Sequence, residues 1–253
     1  MAARAQRLIQ RFPEPIIHFI ADLHLAPETP GALAIFERFL AGEARHGSAL
    51  YILGDLFDVW VGDDDRRSGQ RVIAALRALT AAGVTVGLIP GNRDFLLGTR
   101  FAAASGVERL ADPSRLELAE GPILLSHGDA LCTADTDYQA FRRQTRDPAW
   151  QAAFLARPLT ERRAIAHRLR ADSERAKPAK SWASMDVEEA EVCALLRAQR
   201  AKRLIHGHTH RPGNHVLDID GQRAERWVLG AWSEEQGDAL RLQDGVLTRL
   251  TLA

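Results

Sequence analysis

Five short clusters along the chain carry side chains that could do chemistry together. They are Asp22-Leu-His24, Gly54-Asp55-Leu-Phe-Asp58, Gly91-Asn92-Arg93-Asp94, Ser126-His127-Gly-Asp129 and His206-Gly-His208-Thr-His210. From them Asp22, His24, Asp55, Asn92, His127, His206 and His208 form a set of oxygen and imidazole donors without a thiolate. Such a set disfavours structural zinc and favours manganese-, iron- or cobalt-class ions in open sites. Seven donors exceed the need of one open ion, whereas two ions sharing Asp55 would use them as four plus four. Paired metals roughly 3.5–4 Å apart suit hydrolysis of phosphate esters and anhydrides. Taken singly, each cluster has an ordinary reading. Asp55 and Asp58 fit a turn and a helix cap, Asn92 and Asp94 fit a turn and an N-cap, and His127 fits a hydrogen-bonded loop. The histidine run is the most specific piece, because residues two apart on an extended segment point the same way.

What must position these groups is an alternation of strands and helices. Ile16–Ala21, Leu50–Leu53 and Val84–Ile89 are short apolar runs of buried-strand type. Leu33, Phe36 and Leu40 recur at helical spacing over about 30–45, and Val72–Leu79 reads as a second helix, stopped near Gly83. The alternation implies crossover units in an α/β fold, and ligands in such folds gather at the carboxyl ends of strands. Each early strand ends in one of the polar clusters. Ile123–Leu125 leads into His127, and Leu204–Ile205 leads into His206. Residues 131–200, rich in Ala, Arg and Glu, read as a helical insertion, and the turns Asp220-Gly221 and Asp244-Gly245 as hairpins. Residues 1–15, ended by Pro13 and Pro15, read as an appendage: a tail, or a short interfacial helix carrying Leu8, Ile9 and Phe12 beside Arg4, Arg7 and Arg11. A single domain over 16–253 follows.

The 253 residues balance 33 Lys+Arg against 33 Asp+Glu, with 46% hydrophobic residues. That composition excludes disorder and a membrane bundle, and no run approaches the roughly 18 apolar residues of a spanning helix. Neutrality argues against nucleic acid as partner, and nothing calls for an obligate protein partner. The neutrality is uneven, since residues 142–180 hold eleven bases and four acids. Cys132 and Cys193, outside any CxxC pattern, suit a reducing cytoplasm, and no secretory signal is evident at the N-terminus.

The order D-x-H, G-D-x-x-D, G-N-x-D, H-G and G-H-x-H resembles the calcineurin-like metallophosphoesterase superfamily. Longer stretches are similar to its branch of UDP-2,3-diacylglucosamine hydrolases: Ile20-Ala-Asp22-Leu-His24-Leu25, Gly54 through Asp64, Gly91 through Phe95, His127 through Thr133 and His206 through Pro212. The resemblance covers about residues 16–212. It implies a four-layer αββα sandwich and two Mn2+ ions per chain. It further implies hydrolysis of the pyrophosphate of a lipid-linked UDP-sugar in lipid A synthesis, through water attack on the α-phosphorus, to give UMP and the diacylglucosamine 1-phosphate. The enzyme would then be cytoplasmic and peripheral on the inner membrane. Carried over by position, Asp22, His24, Asp55 and His208 would hold the first ion, and Asp55, Asn92, His127 and His206 the second. Substrate contacts fall on Asn92, Arg93, Asp135, Ser173, Lys177, Lys180 and His208, with Lys177 standing where the pattern has Asn.

Arg93 separates relatives by chemistry. Where many members have a histidine able to protonate an alkoxide, this chain has a guanidinium that keeps its protons. A phosphate monoester leaving group, with its last pKa near ~6, needs no such donor, and a fixed cation stabilises it. Asp55, Asn92, Arg93 and His127 are therefore the expected catalytic set. The insertion carries Phe141, Trp150, Phe154, Leu155, Leu159, Ile165, Leu169 and Trp182, enough apolar bulk for a cap with an acyl groove. Its basic side is expected to face phosphates and an anionic membrane surface. Two other readings remain at this stage: a hydrolase of soluble nucleotide pyrophosphates, which needs no acyl groove, and a non-catalytic scaffold, which has no use for an intact donor set.

Overall fold

The computed structural model describes residues 6–9, 15–65, 69–176 and 186–253. Ile17–Ile20 (β2), Ala49–Leu53 (β3), Thr85–Ile89 (β4) and Glu108–Arg109 (β5) run parallel in that order. Gly237–Gln243 (β11) joins antiparallel beside β2, and Val246–Leu252 (β12) closes the edge of this first sheet. The second sheet has the order β1 (Gln6–Ile9), β6 (Ser114–Glu117), β7 (Ile123–Ser126), β8 (Arg203–His206), β10 (Gln222–Val228) and β9 (Gly213–Ile219).

Alternation along the strands sorts the core into three layers. Ile17, Phe19, Tyr51 and Leu53 meet Leu116, Ile123, Leu125 and Ile205 between the sheets. The opposite faces, Ile20, Leu50, Ile52 and Leu88, pack under Pro30–Ala41 (α1), Gln70–Ala81 (α2) and Thr99–Ser105 (α3). Leu124, Leu204 and Leu217 on the far side of the second sheet pack under Val192 and Leu196 of Glu189–Ala198 (α7). The result is the expected αββα arrangement. Both hairpin turns form as two-residue loops with positive φ at each residue, 55° and 77° at Asp220-Gly221 and 50° and 75° at Asp244-Gly245. That is the mirror-type turn that Asp-Gly favours.

Three expectations need correction. Gln6–Ile9 of the N-terminal segment is neither tail nor helix; it pairs in parallel with β6 as an edge strand, in register with Ser114–Glu117. The insertion expected at about 131–200 divides in two. Thr136–Thr145 (α4), Pro148–Leu155 (α5) and Leu159–Ala176 (α6) form the cap, whereas α7 belongs to the body. β7 and β8 are parallel neighbours, and their connection must cross a sheet face; α7 is that crossing helix. Finally, part of the basic side of the cap turns toward the body. Arg162 pairs with Asp64, Arg163 with Asp65, Arg170 with Asp58, and Arg142 and Arg146 with Asp129. Cap surplus and body deficit of charge largely meet at the seam between them.

Candidate metal centre

The donor clusters meet where strands of both sheets end. Asp22 and His24 follow β2, Asp55 follows β3, Asn92 follows β4, His127 follows β7, and the histidine run starts at His206, the last residue of β8. The chain turns sharply here: Asp22, His24, Asp55, His208 and His210 all have positive φ, between 47° and 68°. They are five of the eight non-glycine residues in that region among the described residues. Asp and His tolerate it better than most residues, and clustered strain of this kind marks a functional site.

Asp55 lies between two groups. Its Oδ2 is 3.9 Å from His24 Nε2, and its Oδ1 is 3.8 Å from His127 Nε2; the Arg93 amide donates to Oδ1 at 2.8 Å. On one side, Asp22, His24 and His210 bring ligand atoms within 4.8 Å of one another. His210 Nε2 is 3.2 Å from His24 Nε2 and 3.5 Å from Asp22 Oδ1. On the other side, Asn92 Oδ1 is 2.9 Å from His127 Nε2 and 2.8 Å from His208 Nδ1. The His127 Nδ1–H donates to the Leu53 carbonyl at 2.9 Å, which turns Nε2 into the site.

This arrangement changes the expected use of the histidine run. His208 sits with Asn92 and His127 rather than with Asp22 and His24, and His210, absent from the expected set, takes that place. His206 is fully buried and bonded through Nδ1 to the Gly207 carbonyl at 2.8 Å. The period of two puts all three rings on one side, but β8 ends at His206 and the left-handed turns at His208 and His210 carry the later rings forward. The G-H-x-H pattern read with Gly207 as its glycine would have found His210.

Close approach is built into the backbone. A Cβ on Gly91 would stand 2.1 Å from Asp55 Oδ1, and one on Gly207 2.4 Å from Asp22 Oδ2. Asp94, fully buried, accepts from the amides of Gly91 (2.7 Å) and Leu56 (2.8 Å) and fixes the two ligand loops to each other; burial, with Asp55 beside it, pushes its carboxyl up to about 7.

The residues fit divalent cations. Asp22 Oδ1 is buried without a hydrogen bond, while Oδ2 accepts from the His208 amide at 2.8 Å. Burial pushes His24 and His208 each down to about 3, so both are neutral imidazoles at pH 7, the form that ligates. His127 moves the other way, up to about 9: burial opposes its charge, but Asp55, Asp129 and Asp22 outweigh burial. Surplus negative charge at the centre draws a proton onto an imidazole, which is what a site built for cations does without them.

From this centre a cleft of about 320 Å³ runs beneath the cap. Asn92, Arg93 and Tyr138 line it together with the apolar Phe95, Trp150, Phe154 and Leu169. Trp150 and Phe154 stack at 5.1 Å, and Leu169 is 38% exposed. Of the other expected apolar residues, Phe141 also lines the cleft, Leu159 and Ile165 pack on the core, and Leu155 is exposed. Asp135 caps α4, its Oδ1 accepting from the Tyr138 amide at 3.1 Å. Ser173 lies in α6, and Lys177, Lys180 and Trp182 lie outside the described residues. Tyr138 and Arg170, which also lines the cleft, went unseen in the sequence, because a helical residue's neighbours across a cap leave no local pattern.

Residues 16–212 match the family model for calcineurin-like phosphoesterases. The chain is 50% identical over 218 residues to the UDP-2,3-diacylglucosamine hydrolase of Aromatoleum aromaticum, covering 86% of this chain and 89% of that one. It is 51% identical over 218 residues to the enzymes of that name from Escherichia coli O81 and Escherichia coli K12, covering 86% of this chain and 91% of each.

Proposed function

The chain belongs to the calcineurin-like phosphoesterase family, and we propose that it hydrolyses the pyrophosphate bond of UDP-2,3-diacylglucosamine in lipid A synthesis, releasing UMP and 2,3-diacylglucosamine 1-phosphate. The observation that carries this reading is the cleft that joins Asn92 and Arg93 to an apolar channel under the cap. A soluble nucleotide would leave the exposed parts of Phe95, Trp150 and Leu169 facing water, whereas acyl chains cover them. The relatives at 50–51% identity bear the name of this activity.

Two Mn2+ ions per chain fit the donors, with Asp22, His24, Asp55 and His210 toward the first and Asp55, Asn92, His127 and His208 toward the second. Bound there, the cations supply Lewis-acid activation of water and neutralise phosphoryl charge. The chain's own groups do the rest. Asp55 sets the spacing of the two sets, and the Arg93 amide holds Asp55 while its side chain lines the cleft next to Asn92. The guanidinium stabilises the departing phosphate, which needs no proton at neutral pH. Asn92, His208 and Asp135, with Ser173, Lys177 and Lys180, are the substrate contacts. The substrate's acyl chains support a location at the cytoplasmic face of the inner membrane; exposed Leu155 and Leu169 on the cap suit that surface, and no helix among the described residues is long and apolar enough to cross it.

The experiment is turnover of UDP-2,3-diacylglucosamine in 18O-water with Mn2+. The label is expected in UMP, and chelation by EDTA is expected to stop the reaction. Label in the lipid phosphate would place attack on the other phosphorus, and turnover after complete chelation would remove the metal from the mechanism.

A further inference from the structure

Helix α4 and its C-cap carry Tyr138, Arg142 and Arg146 at spacings of four, a single stripe on one helix face. All three converge on Asp129, a fully buried carboxylate two residues past His127. The Tyr138 hydroxyl donates to Asp129 Oδ2 at 2.8 Å and Arg142 Nε at 2.9 Å. Both bonds fall on Oδ2, and Oδ1 is buried without a hydrogen bond. Arg146 stands farther off, with Nη2 at 3.6 Å from Oδ2, and spends its direct bond elsewhere. Its Nη2 donates to the Gly91 carbonyl at 2.9 Å, with the Pro90 carbonyl at 3.4 Å. Its guanidinium carbon also lies 5.4 Å from the centre of the Phe95 ring. One side chain therefore grips both ends of the segment 91–95, which bears Asn92 and Arg93, and faces the loop that bears His127.

We propose that Arg146 is a positioning residue that locks the Asn92 loop to the His127 loop and so sets the geometry of the second cation site. The inference rests on the assignment of Asn92 and His127 to one ion. Its physical basis is the planar guanidinium, whose Nη2 faces the two carbonyls and the Asp129 carboxylate while its carbon stands over the Phe95 ring; an ammonium on a flexible stem offers no such planar face. The C-terminal end of α4, where Arg146 stands, adds the favourable negative pole of the helix. Outer-shell partners of this kind typically change metal affinity about 10- to 100-fold.

The test compares Arg146→Met and Arg146→Lys with Arg163→Met, which removes a cap–body ion pair at Asp65 remote from the loop. Manganese titration followed by electron paramagnetic resonance resolves the two sites, and amide hydrogen exchange of residues 91–95 is read on the metal-free proteins. Arg146→Met is expected to weaken the second site at least about 10-fold, with the first site within about twofold. Its kcat at limiting Mn2+ falls in parallel and recovers at saturating Mn2+, with KM unchanged. Arg146→Lys recovers only part of the loss, and Arg163→Met matches the parent. Equal weakening of both sites, the same loss in Arg163→Met, or unchanged exchange at 91–95 in Arg146→Met overturns the proposal. If the parent protein binds a single ion, the two-ion reading fails by itself, and the exchange of 91–95 still decides whether Arg146 holds the loop.

Discussion

Replacing His210 by alanine removes one of four donors from the first cation set and leaves Asp22, His24 and Asp55. Asp22 Oδ1 has no hydrogen bond, and its nearest recorded partner is His210 Nε2 at 3.5 Å, so the void falls at the metal. Loss of an outer-shell partner alone costs up to about 100-fold in affinity, and loss of a direct ligand should cost at least that, about 2.8 kcal/mol. His206→Asn makes the contrasting variant. It breaks the Nδ1 bond to the Gly207 carbonyl and should lower stability by about 1–3 kcal/mol, the cost of disturbing a buried polar group. Its first-site affinity should stay within about threefold of the parent. Manganese titration by electron paramagnetic resonance, with thermal melts of the metal-free proteins, separates the two effects. If His206→Asn loses the ion while His210→Ala keeps it, the reasoning from geometry is wrong and His206 is the ligand.

Three further outcomes follow from the same structure. Gly91→Ala would press a Cβ to 2.1 Å from Asp55 Oδ1 and 2.4 Å from the Asp55 amide; metal binding at both sites should fall together, as read by calorimetry. Leu169→Asp changes a 38%-exposed residue of the cleft; KM for the acylated substrate should rise severalfold with Mn2+ affinity unchanged, and an unchanged KM would remove the acyl groove. His18 is buried, and burial lowers its pKa against the opposing bond to Glu43. Below about pH 6.5 the unfolded chain takes up a proton that the folded one refuses, so this group's stability is whole above that pH and is lost as pH falls. In EDTA, the loss of unfolding free energy between pH 7.5 and 5.5 should be smaller in His18→Leu than in the parent; equal losses would refute it.

Much of the site was legible because β-strand ends impose their own punctuation. Apolar runs stopping at Asp22, Asp55 and Asn92 predict both a parallel sheet and the edge where ligands collect, and Asp-Gly pairs fix their turns by backbone preference alone. The histidine run was legible as a ligand source but not in its assignment, because a period of two cannot distinguish His206, His208 and His210; the left-handed turns do. The inward pairing of Arg162, Arg163 and Arg170 with Asp64, Asp65 and Asp58 was hidden for a different reason. Those partners are about a hundred residues apart, and only the closing of the cap brings them together.

The most direct measurement is the steady-state release of UMP from UDP-2,3-diacylglucosamine and from the deacylated UDP-sugar, side by side with Mn2+. Covering even a few methylenes, at about 0.8 kcal/mol each, predicts kcat/KM for the acylated substrate at least about 100-fold higher. Equal turnover of the two would contradict the assignment of the cleft to acyl chains, and turnover of neither would contradict the hydrolase itself.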